Sequence, residues 1–346
     1  MLKLWSRPMR GVLIAIVVVI VAGGLAATAL SFESRPAEGI PAGGKLFSVD
    51  RGDESHSLGK RLQDDGLIRS ALLFRVLVKL QGSSASFKIG TYRIMPKMDT
   101  GAIMDLLLSG RQALVRITVP EGFTISQTAA LLEQNAIASA ADFERACHDS
   151  KLLEQLGLPS SSAEGYIFPD TYFFPPSYGG AAALREMVST FRERLSSIPE
   201  AAALSSKELN DRVILASIVE REYKQPDEAP LIASVFDNRL RIHMALQSCA
   251  TVVYVLTERE GKPHPEIIYD RDLLIRDPYN TYIHPGLPPG PICSPGMTSL
   301  RAVFYPAKTH YLYFRLVDPV EGRHHFSTNL AEHIDARELF IKKVGG

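Results

Sequence analysis

The chain has 346 residues in which Lys plus Arg and Asp plus Glu are both 38, so no basic field points to a nucleic-acid partner. That length allows two or more domains with cores of their own. Cys147, Cys249 and Cys293 are too few, and odd in number, for a disulfide framework. Their spacings fit no compact metal site, so they read as small buried or partly buried thiols.

Residues 1–10 carry Lys3, Arg7 and Arg10, and the stretch 11–32 that follows contains no charge. A helix needs roughly 20 apolar residues to cross a bilayer, so 11–32 is expected to be a transmembrane helix. The basic flank keeps the N-terminus in the cytoplasm and exports the rest. A cleaved signal peptide is the rival, since Ala27-Thr28-Ala29 imitates a cleavage site, but the apolar run exceeds the usual h-region of about 7–15 residues. Residues 33–44 mix Pro, Gly and charge without periodicity, as a flexible tether does.

Beyond the tether, the segment from Val49 lies over the segment from Val119 as a weak repeat. Gly52 matches Gly122, Leu62 matches Leu132, and Ala71 meets Ala141. Each copy is predicted to be a strand, a glycine turn, a helix, a short break and a second helix. Phe87–Met95 alternates as a strand, and Asp99 or Thr100 caps a helix after it. This order resembles the LysM-like modules that grip N-acetylated glycans; a plain spacer is the competing reading. Residues 45–158 are therefore expected to form LysM-like module(s), and 159–346 a mixed α+β catalytic domain.

Glu164–Phe174 is rich in aromatics beside an acid, which suits either sugar stacking or a core-edge strand. Asn210 or Asp211 is placed to cap a helix ending near Lys224. On it, Val213, Ala216, Ser217 and Glu220 share one side, whereas Glu222 lies roughly 200° around and reads as solvated. A carboxyl half-sunk in an apolar wall has its protonated form favoured, as a general acid requires. An ion pair from Glu220 to Lys224 at i+4 is the plainer alternative.

Another helical stripe is predicted over Leu231–His243, while Leu246–Leu256 fits helix or strand equally. Tyr279–Gly296 is a loop stiffened by prolines, His310–Val317 alternates as a strand, and His324–Phe340 is predicted to be a turn and a final helix.

"ASIVEREY", "VFDNRL", "MALQSCATVVY", "YNTYIHPGLPPGPICSPG", "YLYF" and "HHFSTNLAEH" occur in the order seen in the endolytic murein transglycosylases, the YceG-like family, which this chain resembles from about Phe47 to Leu339. The resemblance implies cleavage of β-1,4 bonds between N-acetylmuramic acid and N-acetylglucosamine within peptidoglycan strands, leaving 1,6-anhydro ends. It implies no cofactor, an inner-membrane location with the catalytic part outside the cytoplasm, and peptidoglycan synthases as partners. Glu220 matches the family's catalytic acid and base. Cys249 and Ala250 stand where members commonly carry Asp-Pro, and Ile334 where asparagine is frequent.

Ordinary glycosidases use two carboxylates. The implied reaction has its own nucleophile, the C6 hydroxyl of the muramic residue, and intramolecular attack reaches effective molarities on the order of 10⁵ M. Glu220 alone can then protonate the glycosidic oxygen and later take the C6 hydroxyl proton. Gln247, Thr251, Asn280 and Tyr282 are candidate polar contacts to sugar, Tyr254 a stacking wall, and Glu164 a further polar group in the cleft. Asn238 and Arg239 read as ties between helix and loop. A non-catalytic glycan-binding scaffold, a hydrolytic muramidase, and a metal site at His324, His325 and His333 are the rival readings.

Overall fold

The computed structural model describes residues 32–82 and 86–336, with Ile16, Val17 and Gly24 besides. The expected transmembrane helix at 11–32 falls almost wholly outside these residues. Among the described residues no helix is long and apolar enough to cross a membrane.

The chain forms two compact units that divide at Leu114 and Val115. In the first, β1 (Lys45–Val49) pairs antiparallel with β2 (Gly90–Ile94), with Phe47 opposite Tyr92. Between them run α1 (Ser55–Asp64) and α2 (Ala71–Gln81), and α3 (Thr100–Ser109) follows. Asp99 caps α3 by accepting the Ala102 N–H at 2.7 Å, as expected of a short carboxylate at that position. Phe47, Leu58, Leu62, Phe74, Tyr92 and Ile103 belong to a core that is separate from the rest of the chain's.

The second unit repeats the plan. β3 (Val115–Thr118) pairs antiparallel with β4 (Thr171–Phe174), and α4 (Ile125–Gln134), α5 (Ala140–His148) and α6 (Ser150–Gln155) lie between them in sequence. Gly52 and Gly122, matched in the sequence repeat, both sit in turns at positive φ, +92° and +77°. Each copy is thus a strand–helix–helix unit closed by a second strand, with a third helix, α6, added in the second copy. The second copy does not stand with the first, as the boundary expected at 158/159 required. Its Ile117, Leu132, Phe143, Tyr172 and Phe174 share one core with Val213, Ile218, Phe236 and Leu300. Most of the aromatics of Glu164–Phe174 go into that core, with Phe173 left exposed.

After α7 (Gly180–Leu195), α8 (Ser206–Glu222) runs through the centre of this core. Ser205, not Asn210 or Asp211, caps it, in a reciprocal box with Glu208; Asn210 instead accepts the Tyr166 hydroxyl at 2.8 Å. Every residue from Val213 to Val219 is buried, so the helix has no solvated side over those two turns, and only its ends carry charge.

Around it lie α9 (Ala229–Arg241), α10 (Cys249–Tyr254), which continues as a π turn over Val255–Arg259, and α11 (Met297–Phe304). The ambiguous segment at Leu246–Leu256 is therefore helical. β5 (Tyr313–Asp318) pairs antiparallel with β6 (Arg323–Ser327), so His324 and His325 sit in a strand where a turn was expected; residues 330–336 are helical.

Gly165 locks these parts together. Its φ is +83°, and a Cβ there would lie 2.5 Å from Pro291 and 3.0 Å from Val213 of α8. Both the left-handed backbone and the close approach exclude a side chain. Gly165→Ala is expected to destabilise the second unit by about 2 kcal/mol or more, read as a lower urea midpoint.

Candidate functional site

Glu220 lies near the C-terminal end of α8, where the buried helix meets two other segments. One is the loop Ile292–Gly296 leading into α11. The Ile292 N–H donates to the Ser217 hydroxyl at 3.0 Å, and the Cys293 thiol donates to the Ser217 carbonyl at 3.2 Å. The other is the turn Glu121–Gly122–Phe123 between β3 and α4. The Gly122 N–H donates to the Ser294 carbonyl, and the Ser294 N–H to the Phe123 carbonyl, at 2.9 and 2.8 Å. Arg221 adds a longer bond from Nη1 to the Gly122 carbonyl at 3.3 Å.

Three donors converge on the Glu220 carboxyl. The Gly296 N–H and the Ser299 hydroxyl both donate to Oε2, at 2.9 and 2.5 Å, and the Tyr223 hydroxyl donates to Oε1 at 3.3 Å. Gly296 and Ser299 are the N-cap and third residue of α11, so the carboxyl faces that helix's positive end. These donors stand beside a carboxyl expected from sequence to be half-sunk in an apolar wall. Among the described residues Glu220 forms no ion pair with Lys224.

A second carboxyl stands beside it. A Cβ built on Gly296 would fall 1.8 Å from Glu121 Oε1, so the Glu121 side chain fills the space that glycine leaves. Partial desolvation, and then the charge of Glu220, hold Glu121 above the usual carboxylate range. Sequence reasoning missed this residue because Pro120-Glu121-Gly122 reads only as a turn; its place at the repeat's glycine was the available signal.

The other predicted residues are distributed differently. Gln247, Cys249 and Tyr282 line a cavity of about 440 Å³ with Glu222, Arg239, His324 and His333, and Glu220 is not among its lining residues. Glu222 is half-buried: its carboxylate accepts the Ser248 hydroxyl at 2.5 Å, because the segment after α9 folds back over the end of α8, and desolvation raises its pKa. Thr251 and Asn280 are buried and committed to the protein itself. The Thr251 hydroxyl donates to the Ser248 carbonyl, and the Asn280 amide donates to the carbonyls of Leu273 and Ile275. Tyr254 packs on Tyr279, with ring centroids 5.0 Å apart, and borders a different cavity with Arg221 and Glu258.

Asn238 and Arg239 are ties, donating to the carbonyls of Thr309, Tyr311, Leu312 and Leu246. His324 Nδ1 lies 2.7 Å from Glu228, and His333 Nε2 faces Arg315 at 3.3 Å. Among the described residues no group of three His, Cys, Asp or Glu is arranged to hold a metal.

Compared with known proteins, the YceG-like family model matches residues 47–338. The chain belongs to the YceG-like family. It is 31% identical over 311 residues to the endolytic murein transglycosylase of Bacillus subtilis, covering 85% of this chain and 84% of that one. It is 30% identical over 317 residues to the endolytic murein transglycosylase of Streptococcus pneumoniae D39, covering 82% of this chain but 56% of that longer protein. A crystal structure of a YceG-like protein from Listeria monocytogenes superposes with a TM-score of 0.57 at 28% identity, over 84% of this chain and 98% of the other. The family's mixed α+β fold is thus the fold of this chain.

Glu164 lines neither of the two cavities. It is buried, its Oε2 accepts the Ile125 N–H at 3.1 Å, and its Oε1 has no partner among the described residues. Burial pushes its pKa up to about 8, against the opposing pull of the Ile125 N–H. A carboxyl raised from 4.5 in the unfolded chain contributes its full stability below that value and loses it as pH rises toward 8. Glu164→Gln is therefore expected to match the wild type in melting temperature near pH 5 and to exceed it at pH 8. The gap should grow by about 1.4 kcal/mol per pH unit across the window; a constant gap would show that the carboxyl stays ionised.

Proposed function

We propose that the protein is a membrane-anchored lytic transglycosylase that cuts within peptidoglycan strands, at the β-1,4 bond between N-acetylmuramic acid and N-acetylglucosamine, and leaves 1,6-anhydro ends. Glu220 is the acid–base carboxyl. The observation that carries this reading is the convergence of Gly296, Ser299 and Tyr223 on Glu220, which fixes a carboxyl at the meeting point of three otherwise separate segments. The printed names of the Bacillus and Streptococcus relatives support the substrate and reaction class.

The chemistry needs a proton delivered to the bridging oxygen, a cationic sugar held briefly, and a proton removed from the C6 hydroxyl as it closes on the anomeric carbon. The nucleophile belongs to the substrate, so no water has to be positioned. The strand–helix–helix–strand unit of residues 45–94 is the candidate for LysM-like holding of the glycan. The basic N-terminal flank and apolar run support an inner-membrane anchor with the enzyme outside the cytoplasm and near the peptidoglycan synthases. The Cys249–Ala250 departure leaves this assignment intact, because the Cys249 thiol meets the Tyr282 hydroxyl at 3.0 Å in the cavity of Glu222 and not at Glu220.

Glu220→Gln keeps the shape and the hydrogen-bonding length of the side chain but removes the transferable proton. Solubilisation of purified sacculi by that variant is expected to fall by roughly 10³-fold while the protein still unfolds in one cooperative transition, at a modestly lower melting temperature. Undiminished turnover would take the role away from Glu220.

A further inference from the structure

We propose that the acid and base halves of the reaction are divided between two carboxyls, Glu121 donating the proton to the glycosidic oxygen and Glu220 receiving the one from the C6 hydroxyl. This rests on the transglycosylase reading above and changes one step of it: the proton donation given there to Glu220 passes to Glu121, and Glu220 keeps the base step.

The geometry carries it. Glu121 and Glu220 come from elements far apart in sequence and meet at one glycine: Gly296 donates its N–H to Glu220, and its missing side chain leaves the room that Glu121 occupies. Their surroundings differ in kind. Glu220 has three donors, the arrangement suited to a carboxyl that carries charge, whereas Glu121 has none among the described residues. Glu121 is also the more exposed of the two, as a group that must reach a bridging oxygen has to be. Two carboxyls this close do not both ionise readily, and the upward displacement of Glu121 follows from partial desolvation and from the charge of Glu220.

The other titratable groups around the pair leave this ordering in place. Tyr223 and Cys293 are both pushed up by burial and by Glu220, and so remain neutral, while Arg221 is turned to the Gly122 carbonyl.

The step balances within the pair. The Glu121 proton passes to the bridging oxygen as the C1–O bond breaks and its electron pair leaves with that oxygen. The C6 oxygen then forms its bond to C1 and gives its proton to Glu220. The proton returns from Glu220 to Glu121, restoring the resting state with no net uptake.

The test compares two substrates with the full-length enzyme in detergent. One is native glycan; the other is a muramyl oligosaccharide with a 4-methylumbelliferyl leaving group, whose departure needs little protonation. Glu121→Gln is expected to lose about 100-fold on glycan but only a few-fold on the activated substrate. Glu220→Gln is expected to lose both. Equal losses on the two substrates for Glu121→Gln, or no loss on either, would overturn the division of labour. Full activity of Glu220→Gln would instead overturn the underlying reading. Glu121→Asp guards against a folding artefact: it keeps a titratable acid, so glycan cleavage should recover at least partly above the Gln variant, and no recovery would count against the proposal.

Discussion

The Glu220 carboxyl, held by the Gly296 N–H and the Ser299 hydroxyl, is the joint on which the second unit depends. It fastens the end of a helix with a fully buried middle to the start of α11, and the loop leading into α11 is fixed again at Ser217 and Ser294. A polar group at the end of a helix with seven successive buried residues would be a liability without those donors. With them, the same bonds that stabilise the fold set the orientation of the proposed catalytic group.

Glycine makes this convergence possible. Gly296 leaves the space that the Glu121 side chain occupies, Gly122 turns the chain at positive φ into α4, and Gly165 allows Pro291 to lie against α8. The second cavity, with Glu222, Arg239, Gln247 and Tyr282, is built on the opposite principle. Its arginine and much of its polar lining are committed to backbone carbonyls and neighbouring hydroxyls, which makes it a framed recess beside the acid pair's helix end.

Much of this was legible in the sequence where local chemistry decides the outcome. The duplicated strand–helix–helix plan showed through Gly52 and Gly122, and the apolar run before Glu220 showed that its helix is buried. What failed was long-range. Asn280 and Thr251 look like ligands in a polar loop, but the loop needs their side chains to satisfy its own buried backbone. Glu222 looks solvated on a helical wheel, until a segment from beyond α9 covers it. Glu121 was invisible for the same reason: nothing local distinguishes an acid in a glycine turn from one aimed at a partner a hundred residues away. The boundary at 158/159 failed because a repeat in sequence says nothing about which core each copy joins.

The most direct measurement is of where the new oxygen in the product comes from. Sacculi digested by the purified enzyme in water enriched in oxygen-18, analysed by mass spectrometry, should give muramic termini that are anhydro and unlabelled, because the C6 oxygen closes the ring. Reducing termini carrying the heavy isotope would contradict the account and make the protein a hydrolase.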